Sequence, residues 1–166
     1  MAPYCNFLSG ALTYDPVVST IDTKLASQIV WLDAFITNVD RTFKNTNMLI
    51  WHKDLWLIDH GAAFYFHHTW TNWENHARSP FALIKDHVLL SQATELQSVD
   101  AEFKKILTDE VLANIVELIP GEWLQWKDTD ETPEQIKATY LKFLLIRKAN
   151  SDIFIKEADD ARKVLI

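Results

Sequence analysis

The sequence predicts a mainly α-helical fold with one β-hairpin, built as a single domain over residues 1–166. Most of the chain carries apolar residues at intervals of three and four, which is the period of an amphipathic helix. The exception is a pair of short apolar runs separated by three polar residues. Glycine occurs only 3 times in 166 residues, and this scarcity excludes the glycine-rich phosphate loops of Rossmann and P-loop domains.

The first predicted element is a helix over about residues 22–37. Residues 1–20 are expected to be irregular because Pro3, Gly10 and Pro16 interrupt them. Beyond them, apolar side chains recur at spacings of four, three and four, which places them on one helical face: Leu25, Ile29, Leu32 and Ile36.

A loop and a hairpin follow this helix. Residues 38–47 are polar and have no period, which predicts a loop. The runs 48–51 and 55–58 are apolar and rich in β-formers, so they predict two strands joined by the three residues between them. Both faces of these strands are apolar, which predicts a hairpin covered on both sides, with Trp51 and Trp56 in the core.

The second half of the sequence predicts four helices. Thr108 caps the second of them, and Pro120 ends it. Thr132 and Gln135 have the spacing of a capping box, with Pro133 at the first helical position of the third. The predicted helices cover about residues 101–107, 109–119, 133–148 and 151–165.

Composition limits the partners and the compartment. Lys and Arg number 16 and Asp and Glu number 23, and this net charge of −7 argues against nucleic acid or an anionic membrane as the main partner. No apolar run approaches the ~18 residues of a membrane span, and the N-terminal sequence lacks the basic region of a signal peptide. Cys5 is the only cysteine, which excludes an internal disulfide and predicts a reducing cytoplasmic location.

Three polar residues in and after the predicted loop have the pattern of a phosphoryl-transfer site. Asp40 and Asn45 lie five residues apart in the loop, and Asp59 follows the hairpin, two residues before Gly61. Because a hairpin returns the chain toward its starting point, these three side chains are expected to converge. In phosphoryl transfer, one carboxylate orients the attacking hydroxyl and accepts its proton, while an amide oxygen and a second carboxylate hold Mg²⁺ against the nucleotide phosphates.

The order D-x4-N, hairpin and D-x-G resembles the catalytic and metal-binding segments of the protein-kinase-like superfamily. The fuller string WLDAFITNVDRTFKNTNMLIWHKDLWLIDHGAAFYFHH, over residues 31–68, closely resembles the bacterial HipA-like kinase family. The chain departs from ordinary protein kinases, because Asn38-Val39-Asp40 replaces H-R-D, Asp59-His60-Gly61 replaces D-F-G, and no A-P-E motif follows. The helical remainder is similar to the C-terminal lobe of the HipA-like family.

This resemblance implies a role for each matching residue. Thr42 stands where relatives carry a histidine, so the role of that histidine does not transfer to this chain. Arg41 is expected to help Lys44 offset phosphate charge. The resemblance implies that Asp40 is the catalytic aspartate and that Asn45 and Asp59 are metal ligands. It implies cofactor binding by Lys44 and Asn47. Asn47 is also the alternative to Asn45 as a metal ligand.

The resemblance further implies the reaction and its cofactors, which are Mg²⁺ and ATP. The expected activity is phosphoryl transfer to a hydroxyl, most readily a Ser or Thr of a protein substrate. A kinase also needs a small lobe with a strand lysine and a loop over the phosphates. No lysine precedes Lys24, so the chain is expected to be the large lobe alone. The small lobe would then be lost, truncated or supplied by a partner chain, and a homo-oligomer is the other expected assembly.

Two alternatives remain open from the sequence. A zinc site formed by His60, His67 and His68 is one, because imidazole is a common zinc ligand, but no H-E-x-x-H motif supports it. A kinase-derived protein-interaction module without catalysis is the other. Its candidate interface residues are two tryptophan pairs, for which packing is nevertheless the expected role: Trp70 with Trp73 and Trp123 with Trp126.

Overall fold

The computed structural model describes residues 8–68, 70, 72–125 and 130–165. These residues form helices and one small antiparallel sheet, which confirms the predicted mainly helical class with a hairpin. The helices are α1 (Thr23–Phe35), α2 (Trp73–Ala77), α3 (Leu96–Ile106), α4 (Asp109–Glu117), α5 (Pro133–Ala149) and α6 (Ser151–Val164). The strands are β1 (Leu12–Thr13), β2 (Met48–Trp51) and β3 (Asp54–Leu57), and short 3-10 helices cover Tyr65–His68, Ala82–Asp86, Leu90–Gln92 and Gly121–Leu124.

Helix α1 is surrounded by other helices and leads directly into the predicted catalytic loop. Asp22 caps its start by accepting hydrogen bonds from the amides of Lys24 and Leu25 at 3.0 and 3.1 Å. The predicted apolar face is only partly correct, since Ile29 is buried but Leu25 is 38% exposed. Because α1 packs against α3, α5 and α6, it buries residues on several sides, including the carboxylate of Asp33.

The predicted hairpin is confirmed, with strand bounds that differ by one residue in β3. The turn contains only His52 and Lys53, which have φ values of 51° and 72°. Positive φ at both central residues is the mark of a type I′ turn, whose twist matches that of the flanking strands. Residues 12 and 13 form β1, which pairs with β2, so the segment predicted to be irregular contributes a third strand.

Only one face of this sheet is well covered. Met48 and Ile50 of β2 and Leu55 of β3 lie on the inner face, where Met48 is buried and the other two pack against the core. On the outer face Trp51 is half-buried and Trp56 is 43% exposed. The predictions that both faces are covered and that Trp56 belongs to the core are therefore wrong.

The helices of the second half lie close to their predicted positions where the sequence carries a cap. Thr132 accepts from the amide of Gln135 at 3.3 Å, and the Gln135 side chain accepts from the amide of Thr132 at 2.8 Å. The start of α3 lies five residues before the predicted one, because Glu95 provides no side-chain cap that would mark it. Residues 67–80, which are rich in Trp, Asn and His, predict a loop, but α2 forms within them.

The core is rich in aromatic rings around α1. Trp31 is fully buried, contacts Phe35, Phe103 and Phe154, and donates its indole N–H to Asp100 at 2.9 Å. Of the two tryptophan pairs, Trp70 and Trp73 pack against the core as expected, whereas Trp123 is 74% exposed and Trp126 lies outside the described residues. Across the described ranges, no helix is long and apolar enough to cross a membrane.

Candidate active site

The loop after α1 is held in place by the last turn of that helix. Thr37 adopts φ 54° and turns the chain out of the helical path. The side-chain amide of Asn38 donates to Asp33 Oδ1 at 2.9 Å, and its oxygen accepts from the backbone amide of Asp40 at 3.3 Å. The side chain of Asn38 therefore links the rigid helix to the aspartate at the centre of the predicted site.

Asp40, Asn45 and Asn47 are in direct contact. The amide nitrogens of Asn45 and Asn47 donate to Asp40 Oδ2 at 2.9 and 3.2 Å, and Asn47 also donates to the carbonyl of Asp40 at 3.1 Å. With both amide nitrogens directed at the carboxylate, the amide oxygens are free to act as acceptors or cation ligands elsewhere. Asn47 adopts φ 47°, a conformation that asparagine tolerates better than most residues.

Arg41 occupies the centre of the loop rather than a position on the phosphate side. It is 1% exposed and bonds to Asp33 Oδ2 at 2.5 Å and to the carbonyl of Asn47 at 2.5 Å. Its third nitrogen lies 3.2 Å from His60 Nε2. The guanidinium thus ties α1, the loop and the segment around Asp59 together, and the expected role of Arg41 in offsetting phosphate charge does not fit its buried position.

Asp33 and His87 form a buried polar pair behind the loop. Burial alone raises the pKa of Asp33, but the hydrogen bonds and charges of His87 and Arg41 outweigh it and leave that pKa below its usual value. Burial lowers the pKa of His87 by more than the neighbouring carboxylate raises it. His87 Nδ1 accepts the amide of Leu89 at 3.1 Å, so a neutral ring carries its proton on Nε2 and donates it to Asp33 at 3.0 Å.

Asp59 is held beside this cluster by a backbone hydrogen bond of the preceding residue, and not by a bond of its own side chain to the cluster. The amide of Ile58 donates to the carbonyl of Asn47 at 2.9 Å, which fixes the end of the hairpin against the loop. Asp59 itself has φ 49° and an exposed carboxylate, and its Oδ1 accepts from the amide of Gly61 at 3.3 Å. The expected convergence is therefore direct for Asp40 and Asn45 and indirect for Asp59.

Lys44 lies in a separate part of the site, on the wall of an open cleft of about 580 Å³. The cleft runs between the catalytic loop and the outer face of the sheet, and Asn45, Asn47 and Leu49 also line it. Lys44 is exposed, so its ammonium group can reach an anion in the cleft without a desolvation cost.

The donor atoms of the site are oxygens from carboxylates and amides. Such hard ligands suit Mg²⁺, which proteins bind through one or two carboxylates together with substrate phosphates. The alternative zinc site is not supported, because the ring of His60 contacts Arg41 and the ring of His67 contacts Tyr140. Within the described part of the chain, no three His, Cys, Asp or Glu residues cluster in a way that could hold a metal ion.

Asp33 and His87 are two residues of the site that the sequence did not predict. Asp33 carried a weak signal, because a carboxylate one turn after Ile29 falls among apolar residues on a helix that is otherwise built for burial. His87 carried none, since its partner is 54 positions away in the chain. Both lie behind the loop and support it.

One protein-family profile matches a range that includes all residues of this site. A family profile for HipA-like kinases matches residues 9–157, well over half of the chain. The chain belongs to the HipA-like kinase family. In this HipA-like kinase the match extends from just before β1 into α6, which confirms the resemblance seen in residues 31–68. Neither the curated proteins nor the solved structures contain a significant match.

Proposed function

We propose that this HipA-like kinase chain acts as the large lobe of a cytoplasmic enzyme that transfers the γ-phosphoryl group of ATP to a Ser or Thr hydroxyl of a protein. The observation that carries the proposal is the bonded cluster of Asp40, Asn45 and Asn47, which occurs in a chain of a kinase family. A carboxylate held by two amides at the end of a rigid helix is suited to positioning a hydroxyl.

Asp40 is the proposed catalytic residue. Its carboxylate would accept the proton of the acceptor hydroxyl while that oxygen forms a bond to the γ-phosphorus. The bond between the γ-phosphorus and its bridging oxygen breaks at the same stage, and ADP leaves with the electron pair. The two amide donors hold Asp40 Oδ2 in one direction, which lowers the entropy cost of this arrangement.

Asn45 and Asp59 are the proposed ligands of Mg²⁺, with Asn47 as the alternative amide. When bound, the ion would neutralise charge on the transferring phosphates. Both proposed ligands are exposed, so they can reach a cation carried in by a nucleotide. The amide of Gly61 donates to one Asp59 oxygen and leaves the second available.

The cleft lined by Lys44 and Leu49 is the proposed nucleotide site. Lys44 would face the phosphates, and the apolar outer face of the sheet would contact the base. The small lobe that closes such a cleft in kinases would come from another polypeptide or a second copy of the chain.

Calorimetric titration with Mg-ATP tests this proposal. Asp59→Asn removes the charge while keeping a residue that tolerates φ 49°, so it is expected to abolish Mg²⁺-dependent binding without changing the fold. Asp54→Asn is the matched control, because Asp54 is exposed at the start of β3 and is expected to leave binding unchanged.

The dependence of ATP binding on Mg²⁺ decides the outcome of this titration. Wild-type binding should disappear when Mg²⁺ is replaced by EDTA. Binding of equal strength by the wild type and Asp59→Asn would contradict the metal role of Asp59. Absence of nucleotide binding at millimolar ATP, with a candidate small lobe added, would contradict the proposed kinase function.

An interaction module without catalysis is a second candidate, and one observation favours it. Large apolar side chains are exposed on the sheet and on the segments beside it. Surfaces of this kind mark contacts with another protein. They are Leu12 (69% exposed), Val17 (89%), Val18 (79%), Phe43 (62%) and Trp56 (43%).

A further inference from the structure

A cavity of about 530 Å³, separate from the nucleotide cleft, lies beside the Asp59 segment. His60 and Gly61 line it, together with Ile115 of α4 and Trp123. Tyr140 of α5 lines it as well. Its volume lies within the range of ligand pockets in proteins.

The cavity is apolar inside and keeps apolar side chains at its mouth. Val116, Leu124 and Leu144 line it and are almost fully buried. Ile115 and Trp123 also line it, yet they are 48% and 74% exposed. Exposed large side chains around an apolar cavity indicate that it receives another apolar group.

The lining of the cavity contains no Asp or Glu, but the segment beside it is acidic. No Lys or Arg occurs between residues 107 and 125, a stretch that includes α4 and the 3-10 helix with Trp123. Lys137 pairs with Glu117, whereas Glu122 is exposed next to Trp123. An occupant with basic residues around its apolar group would match this charge.

The cavity adjoins the segments that carry the proposed catalytic site. His60 lines the cavity and also lies 3.2 Å from Arg41, the residue after Asp40. Gly61 lines it two residues after Asp59. A polypeptide seated in the cavity would therefore pass close to the proposed catalytic loop.

We propose that this cavity binds a bulky apolar side chain from a basic segment of the protein acceptor, so that a nearby Ser or Thr hydroxyl is presented to Asp40. This inference rests on the proposed function and adds the class of acceptor. A Trp, Phe or Leu side chain would fill the apolar interior, and a lysine or arginine beside it would face Glu122.

Peptide binding without nucleotide tests the inference directly. The probes are fluorescein-labelled decapeptides with one Ser and several Lys, in which a Trp is placed at each position around the Ser in turn. The reference peptide carries Ala at all of these positions. Fluorescence anisotropy is expected to show binding about tenfold tighter for at least one Trp register than for the Ala reference.

Two variants of the same helix region identify the site. Ile115→Asp places a charge at the cavity mouth and is expected to remove the preference for Trp. Leu118→Asp adds the same charge at an exposed position that does not line the cavity, and is expected to keep it. Because both variants add negative charge, electrostatic attraction of the basic peptides cannot account for a difference between them. Thermal unfolding followed by circular dichroism checks that both are folded.

The outcomes separate this inference from the proposed function. Equal binding of Trp and Ala peptides, or a preference that survives Ile115→Asp, overturns the acceptor site while Mg-ATP binding is unaffected. Loss of a dimer in Ile115→Asp, without any peptide preference, also overturns it, because a second copy then fills the cavity. Trp-dependent peptide binding in a protein that fails the Mg-ATP test removes the acceptor role together with the kinase function.

Discussion

Arg41 shows how one side chain can organise a site that it does not enter. Its planar guanidinium bonds simultaneously to Asp33, to the carbonyl of Asn47 and to the ring of His60. A lysine could not make these bonds together, because its single ammonium group lacks the fixed fork of donors. The relative positions of the loop and the hairpin end therefore depend on an arginine at this position.

His87 makes the stability of the protein depend on pH. Burial lowers its pKa below the value of about 6.5 that the unfolded chain has, so between these two values the unfolded state binds one more proton. The stabilising contribution is complete above about pH 6.5 and decreases as the pH falls toward the lowered pKa. We expect the free energy of unfolding in urea to fall further between pH 7 and 5.5 in the wild type than in His87→Gln.

A comparison of two variants separates the effect of His87 on stability from the effects of the other histidines. Gln can still donate a hydrogen bond toward Asp33 but does not titrate. His76→Gln is the control, since His76 is exposed on α2, and it should keep the wild-type pH dependence. Asp33 does not affect this comparison. Its lowered pKa stabilises the folded protein, and this contribution is lost only below about pH 3.8. Identical pH profiles for the wild type and His87→Gln would contradict the neutral buried ring.

At the scale of elements, Arg147 of α5 joins the ends of two other helices. Its guanidinium donates to the carbonyl of Ala34 near the end of α1 at 2.7 and 3.1 Å, and to the carbonyl of Ser79 after α2 at 2.7 Å. It also lies 4.6 Å from the ring centre of Phe154. Burial lowers its pKa to about 10, so the group stays charged at neutral pH.

Replacing this arginine should destabilise the helical assembly. Arg147→Met keeps much of the apolar stem but leaves buried carbonyls at the helix ends without donors, which is expected to cost about 3 kcal/mol. Equilibrium unfolding in urea measures the loss. Lys142→Met on the same helix is the control, because Lys142 is exposed and should change the free energy of unfolding by less than about 0.5 kcal/mol. Similar values for the two variants would show that the arginine contributes no special stability.

The elements that the sequence predicted well are those whose signals are local. The capping box at Thr132 marks the start of α5, and the paired apolar runs mark the hairpin. Strand β1 has two residues and exists through its pairing with β2, some 36 residues later, so no local pattern indicates it. Trp56 was misplaced for a related reason, because its apolar character does not show which face of the sheet other elements cover.

The candidate site could be predicted to a similar depth. The sequence could point to Asp40, Asn45 and Asp59, because they lie in or next to a loop and a hairpin that have local signals. The buried support could not be predicted, since the bonds of Asp33 to His87 and Arg41 form only when distant segments pack. Left-handed backbone at Asn47 and Asp59 likewise depends on how the loop closes on the hairpin.

At the scale of the whole molecule, one group of exposed apolar side chains lies on and beside the sheet. Leu12 and Trp56 belong to the sheet itself, and Val17 and Val18 follow β1. The cleft that Lys44 lines lies between the same sheet and the loop after α1. A partner bound here, whether a small lobe or a second copy, would cover apolar surface and close the proposed nucleotide site in one step.

This placement predicts self-association when no other partner is present. Sedimentation velocity without nucleotide should show a sedimentation coefficient that rises with protein concentration in the micromolar range, because exposed apolar patches seek burial. Val17→Asp is expected to weaken the association at least tenfold, since a charge at the contact must be desolvated. Val164→Asp near the end of α6 is the control at a similarly exposed valine, and should leave the association unchanged. A wild type that stays monomeric over this range would contradict the predicted self-association. Burial of the patch in a homodimer would then be too weak to offset the entropy of association, and a different chain would have to cover it.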